Sequence, residues 1–232
     1  VLTRPASTLL AALTLAAALA VAPSAALAKS GDAAATRAYV RANYALVRAA
    51  RSNLATGEAA LKDLVRQITG QCPLAAAGSP ENHDSEQLSN EVVGAMTIVA
   101  YHPDAAAMDA FAHAVRGLHW SNHGLTHIVH TYATQLVGLA TLAIPEVCGD
   151  VEAWVANGYQ TLPASTLQFD QLYYADDIEA EEVPLRLLAP YESAAEASLV
   201  HRTKQLEAPL AQAEANAVAD YTKILDTLKL NP

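Results

Sequence analysis

The chain has little positive charge: 14 Lys and Arg stand against 24 Asp and Glu, for a formal net charge of −10. An acidic chain does not attract phosphate backbones, and no basic stripe runs through this one, so we expect no nucleic-acid binding. Strand-like alternation of apolar and polar residues is also scarce. After residue 28 no stretch has the length and apolar continuity of a membrane span, and Gln135 and Thr141 interrupt the best candidate. Cysteine is limited to Cys72 and Cys148, with neither a CxxC redox motif nor a CxxCH haem-attachment motif. No P-loop, dinucleotide fingerprint or GxSxG elbow is present. Ser121 and His123 are neighbours in sequence, but residues two apart on a helix point in different directions. The chemistry of a nucleophile with its base is therefore missing, and a non-enzymatic role is expected. The enzymatic route left open is a metal-dependent one.

Residues 1–28 read as a cleaved secretory signal. Arg4 is their only charge, an apolar stretch runs from Leu9 to Val21, and Ala26-Leu27-Ala28 has the small-x-small pattern of a signal-peptidase site. The apolar stretch is shorter than the roughly 20 residues a membrane anchor needs. Valine at position 1 and the heavy use of alanine fit a GC-rich bacterial gene with a GTG start. Residues 29–232 are then expected to form one exported helical domain. In that oxidising setting the two cysteines are expected to pair as a Cys72–Cys148 disulfide.

Helix formers dominate the rest. The expected fold is an all-α, up-down bundle of about four to five helices. The first helix, about Ala34 to Thr69, carries Val40, Tyr44, Val47, Leu54, Leu61 and Val65 on one face and stops at Gly70. Arg51 and Glu58 fall on the same seam, where they either pair inside the bundle or mark its drift to the rim. The second helix is capped at Asp84 or Ser85 and ends before Pro103. The third is expected as one long central helix, about 104–143. A short fourth covers about Val151 to Tyr159, an irregular acidic stretch follows, and the last runs from about Glu192 to Leu228 with a bend at Pro209.

The third helix holds the chief functional signal. From Gly117 to Pro145 there is no Asp, Glu, Lys or Arg. A surface helix usually carries charge on its outer face, so this one is expected at the centre of the bundle, covered on all sides. At about 100° per residue, His119, His123, His127 and His130 fall on one stripe, separate from the apolar seam through Leu118, Leu125 and Val129. Histidines at i and i+4 are close enough to ligate one ion, and imidazole suits Zn, Cu and Fe. A carboxylate from another helix often completes such a site, and Glu58 is the candidate by its height in the bundle. No HExxH and no paired ExxH motif is present.

Two other uses of the stripe stay open. One is a buried hydrogen-bond network in a structural or interaction protein of the cell envelope, with a pH switch as its variant because imidazole changes charge near neutral pH. The other is bis-histidine haem binding. His83, His102, His113 and His201 lie off the stripe and are expected at the surface. The acidic residues between 170 and 182 lack the spacing of a calcium loop and read as a solvated segment. Trp120 and Trp154 are expected in the core. Glu192 and Glu196 suit a helix start without any catalytic role.

Overall fold

The computed structural model of the chain describes residues 30–70, 85–144, 146–156 and 184–228. The expected leader, Cys72, the Asp84 cap, His83 and the acidic stretch 170–182 lie outside the described residues. What is described is all-α, with no strand among these residues. No helix in it is long and apolar enough to cross a membrane.

Helix α1 (Ser30–Gly70) is the central element, packed on most of the others. Its inward face carries the expected seam, with Tyr39, Val40, Val47, Leu61, Val65 and Ile68 buried. Arg51 is exposed and Glu58 half-buried, so the seam drifts and both reach the rim. Gly57 takes the buried place beside Glu58. A Cβ there would lie 2.8 Å from the backbone oxygen of Ala100, so only glycine permits this approach to the next helix.

That helix, α2 (Ser85–Tyr101), leads through one 3₁₀ turn, His102–Asp104, into α3 (Ala105–Val115). Pro103 suits the start of the turn, because it fixes φ and has no N–H to leave unpaired. Together α2 and α3 run antiparallel to α1. Leu88 shares a core cluster with Ile68 near the end of α1, while Trp120, just past α3, reaches Thr36 and Tyr39 near its start. The junction is pinned midway by Asn53 Nδ2, which donates to Pro103 O at 3.0 Å and Asp104 Oδ1 at 2.8 Å. Burial pushes the Asp104 carboxyl above its ordinary value, and the Asn53 hydrogen bond offsets part of this.

The expected single helix over 104–143 is instead two helices. Chain direction reverses at residues 116–122, and α4 (His123–Thr141) folds back along α3. Several groups make the break. Asn122 is an extended N-cap whose Oδ1 accepts from Leu125 N at 3.2 Å. Thr126 Oγ1 accepts from Trp120 N at 2.9 Å. Asp32 on α1 accepts from both the amide and the hydroxyl of Ser121. Trp120 is buried, with Nε1 donating to Thr36 Oγ1 at 3.0 Å. A continuous helix would forfeit all of these.

Helix α5 (Val147–Ala156) follows α4 and packs Val147, Val151 and Trp154 in the cluster shared with α1 and α2. Both tryptophans are core, as expected. A short helical segment, 184–188, and a 3₁₀ turn, Ala189–Tyr191, precede the last helix, α6 (Ala194–Leu228), which is one helix through Pro209. Glu196 meets Arg37 and Arg202 meets Tyr44, so α6 advances in the same direction as α1. The up-down order therefore holds for α1, for α2 with α3, and for α4. The last helix departs from it by running parallel to the first.

The start of α6 is a capping box. Ser193 N donates to Glu196 Oε2 at 2.9 Å, and Glu196 N faces Ser193 Oγ at 3.5 Å. Donation by the Ser193 hydroxyl and amide holds the Glu196 carboxyl below its ordinary value, and Arg37 adds to this against the opposing effect of burial. A lowered folded value contributes stability above the unfolded value, 4.5, and loses it as pH falls through the folded one. Gln can keep the box without the charge. Glu196→Gln is therefore expected to be less stable than the parent near neutral pH, with the gap closing as pH drops below 4.5. Urea melts of both proteins across that range read the gap. A gap independent of pH would mean that the charge of Glu196 adds nothing.

Candidate functional site

The four histidines are divided between the α3–α4 connection and α4. His119 lies in the connection and is exposed. His123 is the first residue of α4, His127 follows one turn later, and both are exposed. His130 is half-buried, and its Nε2 lies 2.9 Å from Leu118 O. A carbonyl only accepts, so this contact places the proton on Nε2 and ties α4 to the connection. The rings of His119 and His130 meet edge to face, with centroids 5.4 Å apart.

The expectation that this stretch is covered on all sides is corrected. Helix α4 buries Leu125, Val129, Tyr132, Ala133 and Leu136. The opposite face is exposed and carries His123, His127, Thr131, Thr134, Gly138 and Thr141. Just beyond it, Leu142 and Ile144 are the exposed large hydrophobic residues among those described, at 52% and 49%. The helix is thus amphipathic in the usual way, but its outer face uses neutral polar residues where charges are the rule. Lack of charge signalled an unusual surface, not a buried helix. Helix α1 holds the central place instead.

The four side chains are consequently not one ligand set. His123 and His127 keep the i, i+4 relation on an open helix face, with Cβ atoms about 6 Å apart. His130 is engaged with the connection, and His119 is packed against it. Glu58 is removed from the site altogether. Asp32 and Ser121 share one level, since they are hydrogen-bonded. From that level, at about 1.5 Å per residue, His130 is no more than roughly 14 Å up the bundle and Glu58 roughly 39 Å. The height match between them assumed an unbroken third helix and fails with it. Among the described residues no group of three or more His, Cys, Asp or Glu side chains is placed to hold one metal ion.

His102, His113 and His201 are exposed, as expected of surface histidines. His201 Nε2 lies 3.2 Å from Gln205 Nε2 on α6. The sequence missed a different feature, an arginine-lined groove between α1 and α6. Its signal was present in part, since Arg37 and Arg41 are one helical turn apart on the first helix. The facing Arg202 required knowing that α6 runs parallel to α1. The chain matches no protein-family model, no curated protein and no solved structure.

Proposed function

We propose that this chain is an exported, non-enzymatic helical-bundle protein whose α4 face binds a transition-metal ion, with His123 and His127 as its protein ligands. The observation that carries the reading is the exposed i, i+4 imidazole pair on a face without formal charge. Two imidazoles leave coordination positions open to water or to a group from a partner. Such a site suits reversible capture and transfer of Zn, Cu or Fe at the cell exterior better than a permanent structural role. Haem is less suited, because its two axial imidazoles must oppose each other across the iron, whereas these stand side by side on one helix.

Export and the Cys72–Cys148 bridge belong to the same proposal. Cys148 follows Val147, which packs in the cluster that holds Ile68 near the end of α1. Position 72 follows Gly70 by two residues in sequence and lies outside the described residues.

A second reading has its own support. His130 already satisfies the Leu118 carbonyl, His119 packs edge-on against His130, and Leu142 and Ile144 extend the neutral face with exposed apolar surface. On that reading the face is a contact surface of an envelope protein and its histidines need no metal.

Calorimetric titration with Zn²⁺ separates the two. The metal reading expects saturable binding that the His123→Ala/His127→Ala variant loses, at unchanged helix content by circular dichroism. Binding retained by the double variant, or no binding by the parent, sinks it.

A further inference from the structure

We propose that the groove between α1 and the first turns of α6 is a binding site for a small dianionic oxyanion, a phosphate ion or the phosphate of a soluble monoester. The groove has a volume of about 170 Å³ and is lined by Arg37, Arg41, Glu196, Ser198, Leu199 and Arg202 among others. Three arginines converge there in a chain whose net charge is −10. Arg37 Nε is bonded to Glu196 Oε1 at 3.1 Å, which neutralises one of them. One carboxylate requires one partner, so interhelical pairing leaves two positive charges unaccounted for. The lining thus carries a formal charge of +2, which matches a phosphate near neutral pH.

The two remaining guanidiniums differ in how they are held. Arg202 is fixed from behind: its Nη2 donates to Tyr44 OH at 3.2 Å, and its Cζ stands 5.4 Å from the Tyr44 ring centroid. Arg41 is exposed on the opposite helix, one turn beyond Arg37. A planar guanidinium held in this way presents paired N–H donors to tetrahedral oxygens with little entropy left to lose. Ser198 adds a hydroxyl to the lining. With water occupying roughly 30 Å³ per molecule, the volume admits a phosphate group and the few waters that complete its shell. An apolar ligand finds nothing here, since Ala195 and Leu199 are the only apolar side chains in the lining.

The site is independent of the histidine face, and its test uses no metal. The full exported chain is titrated with inorganic phosphate, glycerol phosphate, sulfate and acetate at low ionic strength, with heat and amide chemical shifts as readouts. Saturable binding of the three dianions is expected, with acetate at least about tenfold weaker for want of the second charge. Arg41→Gln and Arg202→Gln should each weaken phosphate binding by about tenfold or more, the effect of losing a charge-assisted pair. Arg66→Gln, whose partner is Asp63 at the other end of α1, should leave it unchanged. Circular dichroism checks that each variant keeps its helix content. Tighter binding of glycerol phosphate than of the free ion identifies an ester as the ligand, and the reverse order identifies the ion. No binding of any dianion at 10 mM (~ a hundred times the protein concentration), or equal loss in Arg66→Gln, overturns the proposal.

Discussion

Trp120→Ala is expected to destabilise the protein by ~3–5 kcal/mol, the usual cost of emptying a large aromatic site. Trp120 is only 3% exposed although it belongs to no helix. Its ring stands edge-on to Tyr39 at 6.4 Å, and Tyr39 in turn packs against Phe111 of α3 at 5.7 Å. Its indole N–H satisfies Thr36 on a fully buried part of α1. The alanine variant therefore loses apolar contacts, an aromatic pair and a buried hydrogen bond together. Typical domains are stable by only ~5–15 kcal/mol, so the loss is a large share of the total. It also frees the connection that sets the turn into α4. Equilibrium denaturation measures the loss. Trp120→Phe, which keeps most of the ring but not the N–H, should fall between the parent and the alanine variant. A cost below ~1 kcal/mol for alanine, the level of an ordinary surface change, would mean that Trp120 does not anchor the connection.

The second large effect is a contrast of sign between two glycines. Gly57→Ala is expected to cost ~1–3 kcal/mol, because its Cβ would press on a backbone oxygen of α2 at 2.8 Å and backbone cannot rotate away. Gly138→Ala, at an exposed position inside α4 with nothing within 4 Å of its Cβ, should gain up to about 1 kcal/mol of helix propensity. Both are glycine-to-alanine changes inside helices, so propensity alone predicts a gain at each. Opposite signs in thermal melts isolate the close approach of α1 and α2. A gain at both positions would contradict it.

The helical class, the seam of α1 and the burial of both tryptophans were legible because they rest on local periodicity and apolar content. The break between α3 and α4 was less so. Its signals, Gly117 and the Asn122 cap, stand in a stretch whose apolar spacing continues across the gap from Val115 to Leu118 and on to Leu125. What ends the helix there is largely tertiary, with Asp32 and Thr36 of α1 supplying partners to Ser121 and Trp120. Sequence spacing cannot reveal a partner nearly ninety positions away.

The same error moved the site. An unbroken helix places His119 in register with the other three and brings Glu58 to their height. With the break, only His123 and His127 keep the geometry that the spacing promised. The absence of charge from Gly117 to Pro145 was a real signal with the wrong structural translation, since the neutral residues line an exposed face. The parallel course of α6 was beyond reach, because nothing in a helical pattern states direction.

The most direct test of the proposal that His123 and His127 hold a transition-metal ion is the metal content of the tag-free full chain. Elemental analysis is expected to find about one equivalent of a single transition metal per chain, a stoichiometry set by one open two-histidine site, and none in the His123→Ala/His127→Ala variant. A parent protein that carries no metal and takes up none on reconstitution with Zn²⁺, Cu²⁺ or Fe²⁺ would contradict the account and leave the α4 face as a surface for contact with another protein.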